Sequence, residues 1–115
     1  MSRKRILVVD DEADFLSSLA EILEEEGYAV EKAVNGREAL ARLSGAPLPS
    51  VVILDLMMPV LGGGEVYAAM RADPRLVSIP VIVSTSDPAQ APAGATFLRK
   101  PIDLGRMLET VRRLC

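Results

Sequence analysis

The sequence predicts an α/β fold: a five-stranded parallel sheet with helices packed on both faces. Two observations carry this. Short runs of aliphatic residues with no polar residue inside them, such as Ile6-Leu7-Val8-Val9 and Val51-Val52-Ile53-Leu54, recur along the chain, and strands buried on both faces read this way. Between the runs lie stretches whose apolar residues return every three or four positions, as on an amphipathic helix. Strands that alternate with helices imply parallel pairing, because each crossover returns the chain to the same end of the sheet.

The first strand, residues 6–9, ends in Asp10-Asp11-Glu12. Phe15, Leu16, Leu19, Ile22 and Leu23 then mark a helix over 14–26, with Glu21 and Glu24 to Glu26 turned outward and Gly27 as its stop. Residues 28–33 are short and mixed, which suits an edge strand. Asn35-Gly36 punctuates it, and Ala39, Leu40 and Leu43 define a short helix over 37–44, closed by Gly45 and Pro47. The central strand, 51–55, ends in the carboxylate of Asp55, and Pro59 forces a turn soon after. Gly62-Gly63-Gly64 opens a helix from about Glu65 to Ala72, with Val66, Tyr67 and Met70 inward and Pro74 as its end. Pro80 leads into the strand 81–85. Residues 96–100 form the fifth strand, ending in a cation followed by Pro101. Asp103 is a good N-cap for the last helix, whose inward residues are Leu104, Met107, Leu108, Val111 and Leu114.

A chain of 115 residues suits one domain, residues 1–115, around one core. Half the residues are hydrophobic but only 3% are aromatic and none is Trp, so the core must be aliphatic. A net charge of −3 argues against general nucleic-acid binding, which needs a basic face. Cys115 is the single cysteine, which rules out an intramolecular disulfide and any cysteine-based metal spacing. The absence of histidine removes histidine acid–base catalysis, histidine triads and histidine-bound zinc. The basic start, Met1 to Arg5, is followed by too short an apolar run for a signal peptide, and no run reaches transmembrane length. The expectation is a soluble cytoplasmic protein with no membrane partner.

In a parallel sheet the carboxyl ends of all strands share one edge, the place where open α/β sheets bind ligands. Here those ends carry Asp10 and Asp11, Asp55, Thr85 and Lys100. Three carboxylates gathered at one rim repel one another unless a cation intervenes. With oxygen donors alone, the fitting cation is hard: Mg²⁺, with Mn²⁺ as a substitute. Mg²⁺ prefers one or two carboxylates, some water and a phosphate oxygen, which leaves Thr85 and Lys100 for the remaining phosphate oxygens.

These residues resemble the receiver domain of bacterial two-component response regulators, in its single-domain, chemotaxis-receiver-like form. The likeness rests on Asp10-Asp11 after an apolar strand, Asp55 with Met58-Pro59 and Gly63, Pro80 with Thr85, and Phe97 with Lys100-Pro101. It spans nearly the whole chain. The resemblance implies a flavodoxin-like sheet of order 2-1-3-4-5. It also implies that Asp55 is the phosphoacceptor for a histidine kinase or a histidine phosphotransfer protein. Asp11 would bind Mg²⁺ directly, Asp10 through a water, Asp55 through its carboxylate and Met57 through its backbone carbonyl. Thr85 would hydrogen-bond the phosphoryl group and Lys100 would pair with it. Phe97 would be the switch aromatic, and the Lys100–Pro101 bond cis. Such a protein catalyses only its own phosphotransfer and dephosphorylation, work that needs positioning and charge neutralisation above all.

Simpler readings stand beside these. Asp10-Asp11-Glu12 also suits a solvated turn before a helix, and Phe97 a strand core residue. Thr85 has hydroxyl neighbours in Ser84 and Ser86, though strand alternation sets those two on one face and Thr85 on the other. Residues 86–95 hold Pro88, Pro92 and Gly94, which disfavour a helix, so the fourth helix of the family pattern is expected to be missing or reduced to a turn. The family's usual dimerisation would then be in doubt, and a monomer is expected. Met57 and Asp87 stand where the family flanks the path of the attacking water, and an ordinary acyl-phosphate lifetime is expected. With no DNA-binding segment after the last helix, output is expected through protein–protein contact or onward phosphotransfer. A pseudo-receiver, an interaction module that keeps the fold without the chemistry, is the alternative. A phosphohydrolase ranks last, because Met57 stands where such enzymes place a second acid.

Overall fold

Each aliphatic run forms a strand in the computed structural model, which describes residues 3–115; Met1 and Ser2 of the basic start lie outside the described residues. In chain order the elements are β1 (Arg5–Val9), α1 (Ala13–Glu25), β2 (Ala29–Ala33), α2 (Gly36–Leu43), β3 (Val51–Asp55), α3 (Gly63–Ala72), β4 (Val81–Thr85), a 3₁₀ turn (Pro88–Gln90), β5 (Thr96–Arg99) and α4 (Leu104–Leu114). The five strands form one parallel sheet in the order β2-β1-β3-β4-β5. The mixed segment before Asn35 is thus an edge strand, and β3 lies at the centre with all five of its residues buried.

Successive strand residues face opposite sides of the sheet, so a wholly apolar strand feeds two cores. Ile6, Val8 and Ile53 pack on one side against Leu16 and Leu19 of α1 and Met107 of α4. Leu7, Val9 and Leu54 pack on the other against Leu43 of α2 and Val66 and Met70 of α3. Helices cover both faces, as the alternation of strands and helices requires. Among the described residues, no helix is long and apolar enough to cross a membrane.

The expectation of a missing fourth helix is corrected by the structure. Four α-helices are present among the described residues, so the fold is not short of a fourth; the fourth in chain order is α4, the last helix expected after Asp103. Its formation has local causes. The Asp103 carboxylate accepts the Arg106 N–H at 3.0 Å, Met107 and Val111 are buried one turn apart, and Arg112 and Arg113 complement the dipole in the last turn. The crossover from β4 to β5 carries the single turn Pro88–Gln90, capped where the Asp87 carboxylate accepts the Ala89 N–H at 3.1 Å.

α3 begins at Gly63, two residues ahead of the boundary expected from its apolar spacing. The reason is tertiary. The Gly63 N–H donates to the Leu56 carbonyl at 3.0 Å, which draws the helix start against the end of β3.

Candidate functional site

Backbone hydrogen bonds continue past the formal strand ends and set the position of each polar residue at the carboxyl edge. The Asp10 N–H donates to Ala33 O at 3.1 Å, Leu56 N–H to Ser84 O at 3.0 Å and Lys100 N–H to Thr85 O at 2.8 Å. Asp10, Asp55 and Lys100 therefore grow from rigid roots. The Lys100–Pro101 peptide is cis.

Asp10 and Asp55 are buried at 4% and 2% exposure, while Asp11 stands exposed at the rim. Carboxylate oxygens of all three lie within 4.8 Å of one another. Lys100 Nζ sits 3.0 Å from Asp55 Oδ1 and 3.9 Å from Asp10 Oδ2. The Met57 N–H donates to Asp55 Oδ1 at 3.2 Å, and the Glu12 N–H to Asp10 Oδ1 at 2.9 Å. Burial pushes the Asp55 carboxyl above its ordinary pKa; the hydrogen bond and charge of Lys100 oppose that rise, the Asp10 charge adds to it and the Met57 N–H opposes it. One ammonium faces three carboxylates, so the site is short of positive charge. Its donors are all oxygen, which fits a hard divalent cation such as Mg²⁺.

The sequence-derived site residues do not all converge. Asp10, Asp11, Asp55 and Lys100 do. Thr85 reaches the same edge and is buried, but its hydroxyl is engaged elsewhere: it donates to the Asp87 carbonyl at 3.0 Å and accepts the Asp87 N–H at 3.1 Å. Ser84 is buried beside it, and Ser86 is exposed. Phe97 lies opposite Val83 with 44% of its surface exposed, more than a plain core residue shows. Met57 offers its backbone to the site and leaves its side chain 69% exposed.

Val60 was not legible as a special residue. It adopts φ 72°, and the Leu61 N–H donates across it to Pro59 O at 2.9 Å, closing a γ-turn of the rare positive-φ kind. A β-branched residue there carries about 1–3 kcal/mol of strain. The turn is braced from outside, where the Gly36 N–H donates to Leu61 O at 3.0 Å. Nothing local in the sequence signals it, since a valine argues against positive φ.

Residues 6–112 match the family model of the response regulator receiver domain. The chain belongs to the response regulator receiver family. It is 36% identical to the transcriptional regulatory protein PrrA of Mycobacterium leprae over 99% of this chain and 51% of that protein. It is 32% identical to protein PilH of Pseudomonas aeruginosa over 93% of each. The signal receiver domain of a signal transduction histidine kinase from Syntrophus aciditrophicus superposes with a TM-score of 0.88 at 36% identity, covering 96% of this chain and 89% of that one. This receiver spans about half the length of PrrA and of other curated relatives it matches. It is a signal-transduction domain of the two-component type, and its acidic cluster lies where the carboxyl ends of β1 and β3 adjoin.

Proposed function

We propose that this receiver is a phosphoacceptor switch in which Asp55 takes a phosphoryl group from a histidine kinase or a histidine phosphotransfer protein. The observation that supports it most is the ion pair of Lys100 with the buried Asp55, 3.0 Å apart, inside a cluster of three carboxylates. An Asp55 oxygen forms the new bond to phosphorus as the donor's N–P bond breaks, and the histidine leaves as imidazole after gaining a proton. Lys100 holds a phosphoryl oxygen and balances its charge. Asp10, Asp11 and Asp55, with the Met57 carbonyl, are the residues that would hold Mg²⁺ or Mn²⁺. When bound, that ion supplies charge neutralisation at the phosphoryl oxygens.

Thr85 then exchanges its two Asp87 hydrogen bonds for one to the phosphoryl group, which loosens the turn Pro88–Gln90 that Asp87 caps. Phe97, exposed on the neighbouring strand, follows that rearrangement. The protein acts on no substrate beyond its own phosphoryl group. Output passes through protein–protein contact, in keeping with a net charge of −3 that suits no nucleic acid. Phosphoramidate or acetyl phosphate with Mg²⁺, read by intact mass, tests the reading. One phosphoryl adduct on the wild type is expected, and none on Asp55→Asn or with EDTA. A folded, Mg²⁺-loaded wild type that takes no adduct overturns it.

A further inference from the structure

The amino ends of β4 and β5 border a cavity of about 190 Å³, which the last turn of α3 and residues 76–79 also line. Its apolar wall includes the buried Leu76 and the half-buried Ile79. The polar side chains that line it are Tyr67, Arg71, Ser78 and Thr96. Each of the four can donate a hydrogen bond, and no carboxylate stands among them. Arg71 lies in the last turn of α3, where its charge complements the helix dipole. Among the described residues it makes no ion pair. The nearest acid along the chain is Asp73, whose carboxylate is engaged by the Arg75 N–H at 2.8 Å. A chain of net charge −3 thus keeps here a concave site whose charged lining is a cation.

We infer that this cavity binds a small organic monocarboxylate. Its carboxylate pairs with the Arg71 guanidinium, whose planar fork matches two oxygens at once, and the neighbouring hydroxyls supply further donors. Its carbon chain lies against Leu76 and Ile79, a contact that an inorganic anion cannot use. At about 30 Å³ for each water-sized unit, the volume admits about six non-hydrogen atoms, the size of butanoate. Thr96 begins β5, at the end of the crossover whose turn Asp87 caps. A bound ligand therefore ties the end of α3 to the end of that crossover. The site lies at the amino edge of the sheet, opposite the edge that carries Asp55, and does not depend on the phosphoacceptor reading.

The test titrates isotope-labelled protein with butanoate and follows the backbone amide shifts. Saturable shifts are expected at Arg71, Ile79 and Thr96, with a dissociation constant of about 1–10 mM for so few atoms. Butylammonium, which has the same carbon chain and the opposite charge, is expected to shift none of them. Inorganic phosphate, which has the charge and no chain, is expected to bind about tenfold more weakly for want of the apolar contact. Arg71→Gln should weaken butanoate about tenfold, the loss of one charge-assisted pair. Arg112→Gln, on α4, changes the net charge equally and should leave the affinity as it was. Both arginines are exposed, so both variants should melt with the wild type. Shifts that stay linear past about 100 mM overturn the proposal. So do equal affinities for wild type and Arg71→Gln, and so does butylammonium or phosphate binding as tightly as butanoate.

Discussion

Replacing Gly63 by alanine would set a Cβ 2.2 Å from the Asp55 carbonyl oxygen, 2.7 Å from Leu56 Cα and 2.9 Å from the Asp55 carbonyl carbon. All three are backbone atoms of the strand end that carries Asp55, so no side-chain rotation relieves the clash. Either α3 or the end of β3 must move by roughly 1 Å, at the ~1–3 kcal/mol typical of overpacking. The Gly63–Leu56 hydrogen bond weakens as well, adding about 1 kcal/mol. With an unfolding entropy near 0.24 kcal/mol/K for 115 residues, a total of about 2–4 kcal/mol lowers the melting temperature by roughly 8–17 °C. The neighbouring glycines are internal controls. A Cβ on Gly62 meets nothing nearer than 3.6 Å, and one on Gly64 nothing nearer than 3.9 Å. Gly64→Ala, inside α3, should be neutral or stabilising by about 0.5–1 kcal/mol. Thermal melts of the three alanine variants check the stability claim, and phosphoramidate labelling checks the site, where a 1 Å displacement of Asp55 slows reaction by up to about a hundredfold. Three variants melting within about 2 °C of one another would refute the reasoning.

Because burial raises the Asp55 pKa, the folded chain keeps a proton that the unfolded chain releases above its ordinary 3.8. Metal-free stability due to this group is greatest below that value and falls as pH rises toward the folded one. Asp55→Asn removes the fall, so denaturant titrations should find the metal-free variant more stable than wild type at pH 7, by a margin that narrows on acidification; a margin independent of pH contradicts this. Saturating Mg²⁺ at about a hundred times its dissociation constant should add about 2.7 kcal/mol to the wild type; a calorimetric scan in which Asp11→Asn gains as much would remove Asp11 from the ligand set. Lys100→Met leaves two buried carboxylates facing each other, and since the lysine is one-third exposed the metal-free loss should be about 1–3 kcal/mol, below the range for a fully buried pair. Thr85→Val strands the Asp87 N–H and should cost about 1–2 kcal/mol; faster amide exchange at Ala89 and Gln90 would report the loosened turn.

The five strands, their parallel pairing and the shared edge of Asp10, Asp11, Asp55 and Lys100 were legible in the linear chain. Strands buried on both faces need unbroken aliphatic runs, and a parallel sheet brings their ends together whatever the details. The expected loss of a fourth helix came from reading Pro88, Pro92 and Gly94 against the family pattern. The structure carries four helices, with α4 built from the capped segment after Asp103. What tertiary structure alone decided is finer. The Thr85 hydroxyl is turned onto Asp87, α3 starts against the end of β3, and Val60 is bent to positive φ by a turn braced from Gly36. Residue type and periodicity determine which groups are buried and at which end of a strand they emerge. The direction of a hydroxyl, the approach of two backbones and the strain in a turn depend on atoms from distant parts of the chain, and these exist as neighbours only once the chain has folded.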